Sequence, residues 1–235
     1  MDLSIRDTCA DCLNETGSLS VQRDLFGYIY GNIDRELSVR DHIERIRGRS
    51  INICIFLVGH EPGFNGTFTQ AQALRVQHAI DLMREIYAQA DLGVRRIYWR
   101  YIDDTDAAPY FAVDSGGATD LTEAYSGPND GIDVFWVQDV TDAGGWSNSN
   151  GPCDKDAKGR TGAVLQVGNS DDFAGVLLAH EVGHYLTLRH WTTITNLMGV
   201  DSNGDGIGEL NNSSRDLTQS QADDMLASCW VRPAC

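Results

Sequence analysis

Three imidazoles and one carboxylate fall within the eleven residues His180-Glu181-Val182-Gly183-His184-Tyr185-Leu186-Thr187-Leu188-Arg189-His190. Two histidines four apart on a helix project from one face, a turn from each other, and can grip one metal ion together. Neutral imidazole is a preferred zinc ligand, and a catalytic zinc takes three protein ligands with a fourth position left for water. His180 and His184 supply two ligands, and His190 supplies a third if the chain turns back where the helix ends. Glu181 follows the first ligand, where its carboxylate can accept a proton from that water. The competing reading is an amphipathic helix with ordinary half-buried histidines. It must then place three of the chain's six histidines in this one stretch by chance.

The elements that would position these groups can be read from hydrophobic period. Ile51 to Val58 is an apolar run of strand length. Thr69 caps a long helix to about Ala90, with Ala73, Val76, Ile80, Met83, Ile86 and Tyr87 on its apolar face. Val94 to Ile102 returns as a strand, and a strand–helix–strand unit implies parallel pairing. Asp103 to Gly131 reads as a long acidic, glycine-rich insertion of surface loops with small local structure. Ile132 to Val137 is a third strand, buried on both faces. Gly144 to Gly162 reads as loop, and Ala163 to Val167 as an exposed or edge strand along which an extended peptide could pair. The helix carrying the histidines starts near Asn169-Ser170-Asp171-Asp172 and runs to about Leu188. Thr218 caps a last helix reaching Trp230. Glu36 to Arg47 reads as a short amphipathic helix. The fold class is α/β with a mixed, twisted sheet. Residues 1–50 form an N-terminal extension or a prosegment, and 51–235 a catalytic domain.

Composition narrows the partners. A formal charge of −16 on 235 residues argues against nucleic acid, since phosphate binding needs a basic surface. It favours cationic substrates mildly. No apolar run is long enough to span a membrane. The first residues lack the apolar core of a signal peptide, so either the chain stays inside the cell or a leader precedes it. Six cysteines, several in loops or near the ends, suit disulfides in an exported protein and favour secretion. Cys54, inside a strand, reads as a buried thiol or a core-facing bridge partner. Cys9 and Cys12 read as a local structural pair.

The spacing His180, Glu181, His184, His190 resembles the zinc signature of the metzincin metallopeptidases, His-Glu-x-x-His-x-x-Gly-x-x-His followed by a methionine turn. Asn196-Leu197-Met198-Gly199 then resembles that turn, with Met198 beneath the metal. The order of strands and helices over about residues 50–230 also resembles the clan, and His180 to His190 looks closest to its pappalysin-like members. The resemblance implies a zinc-dependent endopeptidase acting on protein or peptide substrates. His180, His184 and His190 would be its ligands and Glu181 its general base. It implies a long backing helix, an active-site helix and a C-terminal helix, with the site between an upper and a small lower subdomain. It also permits a latency switch through Cys9 or Cys12. No tyrosine follows Met198 by two residues, so the extra tyrosine ligand of astacin-like and serralysin-like relatives is not expected.

One position departs from the pattern. The glycine that ends the family's helix in a left-handed conformation is Thr187 here, and a β-branched residue there is strained. If the chain could not turn, an acidic residue such as Glu209 would replace His190. Asp201-Ser202-Asn203-Gly204-Asp205-Gly206 looks like the start of a calcium loop, with Asp201, Asn203 and Asp205 as oxygen ligands. The closing Glu at position twelve is absent, and Asn212 stands there; the alternative is a polar turn. Two rival functions remain: a metal-binding scaffold without proteolysis, and a calcium-stabilised interaction module.

Overall fold

The computed structural model describes residues 48–141 and 143–233. The helix expected over Glu36–Arg47, the pair Cys9 and Cys12, and Cys235 lie outside the described residues.

Five strands form one sheet in the order β2-β1-β4-β7-β6, where β1 is Arg49–Val58, β2 Leu92–Ile102, β4 Ile132–Val137, β6 Gly145–Ser147 and β7 Ala163–Gln166. The first four are mutually parallel and β6 runs antiparallel to β7, so the sheet is mixed. The apolar run of β1 is continuous because both faces of the sheet are covered. Ile51, Ile53, Ile55 and Leu57 point into one core cluster, and Cys54, Phe56 and Val58 into the other. On the second face Phe56 stacks on Phe135 of β4 at 4.4 Å between ring centroids. Asp133 interrupts β4 as a fully buried carboxylate. It accepts from Ser126 Oγ (2.5 Å) and Asn129 Nδ2 (3.0 Å) and pairs with Lys155 Nζ at 2.6 Å, which offsets its desolvation.

The first face is covered by two packed helices, α1 (Gln70–Tyr87) and α4 (Asp171–Tyr185). Thr69 caps α1 as expected, in a reciprocal box with Gln72, and a short 3₁₀ turn carries the chain on to Ala90. The helices approach closely at Gly175, where a Cβ would stand 2.7 Å from Leu82 Cβ. Tyr87 OH donates to Ala179 O across the same seam at 2.8 Å.

The opposite face is covered by α3 (Ser115–Tyr125), after a one-turn helix α2 (Asp104–Ala107) and a small parallel ribbon of β3 (Ala112–Val113) with β5 (Asp139–Val140). The stretch expected to be surface loop thus contains an eleven-residue helix. Gly116 and Gly117 mask it in the sequence, but Asp114 caps it through Gly117 N, and Ala118, Leu121 and Thr122 are buried.

A second correction concerns the edge. β7 is an interior strand: Ala163, Val164 and Leu165 are fully buried, between β4 on one side and β6 on the other. The edge is β6, three residues in a stretch read as loop, too short to show a period of two. The C-terminal helix, α5 (Gln219–Leu226), has the expected Thr218 cap but ends before Trp230. Cys153 and Cys229 form a disulfide, while Cys54 is a buried free thiol. Burial pushes that thiol up to about 12, with Asp133 adding to the shift.

Candidate metal centre

α4 is buried along nearly its whole length and delivers the histidines from inside the protein. Its first turn carries Asp171 and Asp172, favourable at a helix N-terminus. Arg75 pairs with Asp171, while His78 and Arg215 pair with Asp172, so these acids are structural. One turn apart, His180 and His184 are 3% and 8% exposed. His180 Nδ1 lies 3.0 Å from Leu197 O, and His184 Nδ1 lies 2.8 Å from Leu188 O. A carbonyl only accepts, so Nδ1 carries the proton in each ring and Nε2 keeps its lone pair for a metal.

The turn that brings in His190 is built with Thr187 at φ 90°. Leu188 N donates to Gly183 O at 3.0 Å and Thr187 N to His184 O at 2.9 Å. That pair of bonds is the Schellman closure that glycine usually makes, here formed with a β-branched residue. Trp191 N then donates to Gly199 O at 2.8 Å, tying the segment after His190 to the methionine turn. His184 Nε2 and His190 Nε2 end 3.1 Å apart, and all three histidines' ligand atoms lie within 4.8 Å of one another. Tetrahedral zinc with bonds of about 2.1 Å separates ligand nitrogens by roughly 3.4 Å, so the donor set fits. Among the described residues this is the one cluster of three or more such ligand atoms. Glu209, the alternative ligand, instead accepts from Ser202 Oγ.

Electrostatics agree with a ligand role. Burial holds His180 well below the usual imidazole range, and the neighbouring His184 adds to this. Burial lowers His184 to about 4. His190 is lowered by burial too, with Asp201 and Asp205 pulling the other way. Neutral rings are what a metal requires. Glu181 is 6% exposed, and burial pushes it up to about 7, against a lowering hydrogen bond from Ser147. Ser147 Oγ donates to Glu181 Oε2 at 2.6 Å.

Met198 is fully buried beneath α4, its sulfur 3.1 Å from where a Cβ on Gly183 would stand. Its turn is held from α5. Asn196 and Gln221 exchange two amide hydrogen bonds, 2.8 and 2.9 Å, and Asn196 Oδ1 also accepts from Met198 N at 3.0 Å. Gln221 Oε1 accepts from Thr218 N as well, at 3.0 Å, so the helix cap and the methionine turn share one network.

Asp201, Asn203 and Asp205 share an exposed turn, but their oxygens serve that turn. Asp201 accepts from Gly204 N and Gly206 N, at 2.7 and 3.1 Å, and Asp205 accepts from Ile207 N at 2.8 Å. Asn203 Oδ1 accepts from Asp205 N at 3.1 Å. These bonds account for the loop as a polar turn and lend no support to calcium. Ser147 and nearby Gly145 had no signal in the sequence, since their contact with Glu181 arises from the packing of α4 against β6, with a sequence separation of 34 between Ser147 and Glu181.

No family model matches the chain, and no curated protein matches it. Among solved structures, the archaemetzincin of Methanopyrus kandleri is similar, with 12% identity and a TM-score of 0.48 over 76% of this chain and 95% of that one.

Proposed function

We propose that the chain is a zinc-dependent endopeptidase of metzincin type. The observation that carries this is a buried carboxylate, Glu181, next in sequence to the first of three converging neutral imidazoles. His180, His184 and His190 would hold the ion. Bound zinc supplies Lewis acidity towards water and the scissile carbonyl. Glu181 takes a proton from the attacking water and hands it to the leaving nitrogen. The substrate would be a protein or peptide, extended beside β6, which among the described residues is the last strand of the sheet. The pappalysin-like reading rests on residues 180–190 alone. The Cys153–Cys229 bridge favours an oxidising compartment and so secretion. A non-proteolytic metal scaffold explains the histidines but not a carboxylate buried beside them.

The test is zinc stoichiometry together with cleavage of a mixed peptide library, for wild type and Glu181→Ala. One zinc per chain in both, with cleavage in wild type only, is expected. Zinc without cleavage in wild type would favour the scaffold, and absence of zinc would refute the metal centre.

A further inference from the structure

The edge strand β6 does more than end the sheet. Its residues alternate in direction, so Gly145 and Ser147 share one face while Trp146 packs into the cluster on the other. The shared face meets Glu181 at two points. A Cβ on Gly145 would stand 2.7 Å from Glu181 Oε1 and 2.8 Å from its Cγ, so only glycine leaves room for the carboxylate. Ser147 Oγ then donates to Oε2 at 2.6 Å, a short charge-assisted contact. Among the described residues no other hydrogen bond reaches this carboxylate. The strand itself is braced by its pairing with β7, where Gly145 faces Leu165 and Ser147 faces Ala163.

We propose that Ser147 is a positioning residue for Glu181: it holds one carboxylate oxygen from the edge strand and leaves the other for the water. The proposal rests on the peptidase reading. A buried Glu side chain has several rotamers, and only a narrow range of them points an oxygen at a reacting proton. Misplacement of a reacting group by about 1 Å can lower a rate by about a hundredfold. The hydroxyl on β6 restricts that freedom. It also couples the base to the strand beside which substrate would lie, so a displaced edge would disturb binding and chemistry together.

The test separates kcat from KM on zinc-loaded wild type, Ser147→Ala and Ser147→Thr, with zinc content and melting temperature measured on each. Ser147→Ala should lower kcat about tenfold or more at unchanged KM and zinc content, the scale seen when a supporting hydrogen bond is removed. Ser147→Thr, which keeps the donor, should restore it. A phosphinic peptide mimicking the tetrahedral adduct, followed by titration calorimetry, should bind Ser147→Ala more weakly by a similar factor. If Ser147→Ala melts early, Ser147→Cys keeps the side-chain shape with a somewhat larger atom and weakens the donor, and it must show a loss in kcat as well. A kcat within about twofold of wild type with equal phosphinic affinity would overturn the proposal, as would loss of zinc from both variants. A wild-type chain that holds zinc and cleaves nothing would instead remove the peptidase reading, and this inference with it.

Discussion

Replacing Asn196 with Ala should loosen the metal centre without touching a ligand. Asn196 is 2% exposed, and its amide makes three hydrogen bonds, one to Met198 N and two exchanged with Gln221. Alanine strands two buried donors, Met198 N–H and Gln221 Nε2, while Gln221 Oε1 keeps Thr218 N. An unsatisfied buried donor costs about 1–3 kcal/mol, so with two of them the variant should lose about 2–6 kcal/mol. At about 2–4 °C per kcal/mol for a domain of this size, the melting temperature should drop on the order of 10 °C. A second effect follows from Leu197, whose carbonyl receives His180 Nδ1. Freeing the turn should weaken zinc affinity by about ten- to a hundredfold. Thermal unfolding by circular dichroism and a competitive chelator titration measure the two effects. A melting temperature within about 2 °C of wild type at unchanged zinc affinity would refute the argument that α5 holds the turn through this amide.

Three further outcomes are expected. Thr187→Gly removes a left-handed strain of about 1–3 kcal/mol, gives back about 1 kcal/mol of unfolded-chain entropy, and loses a long contact from Thr187 Oγ1 to Asp224 O at 3.3 Å. Urea midpoints should therefore stay level or rise, and a loss above about 1 kcal/mol would show that the hydroxyl outweighs the strain. In metal-stripped protein Glu181 has a folded value near 7, raised from 4.5, so its contribution is fully present below about pH 4.5 and lost as pH rises through 7. Between pH 5 and 8 wild type should lose about 2–3 kcal/mol that Glu181→Gln keeps; parallel pH profiles would contradict this. Cys54, pushed up to about 12 by burial, should resist alkylation at pH 8 until the chain unfolds, as read by peptide mass mapping. Modification of the folded chain within minutes would oppose that.

The convergence of His180, His184 and His190 was legible because its signal is local: two histidines one helical turn apart and a third six residues on. The capped starts of α1 and α5 and the doubly buried β1 and β4 were legible for the same reason. Thr187 marked the right position but not its outcome, since tertiary bonds to Gly183 and His184 decide whether a β-branched residue tolerates a left-handed backbone. The edge strand was misread because three residues carry almost no period, and β7 has weak alternation although it is buried. α3 was missed because glycines occupy its first turn and the cap that offsets them is a single Asp. The partnerships of Ser147 with Glu181, Asn196 with Gln221, and Cys153 with Cys229 join residues brought together only by the fold.

The Cys153–Cys229 bridge closes a covalent ring across a separation of 76 residues, and β7, α4, the metal turn and α5 all lie inside it. Closing such a ring removes about 4–5 kcal/mol of unfolded-state entropy. On the proposed peptidase reading, a neighbouring copy could cleave the exposed stretch from Ser202 to Gly206, which lies inside the ring. A cut there would divide the chain on the far side of His190 but leave both pieces joined. Autolysis would thus yield a two-chain molecule that retains its three histidines and its brace, and that separates on a gel only after reduction.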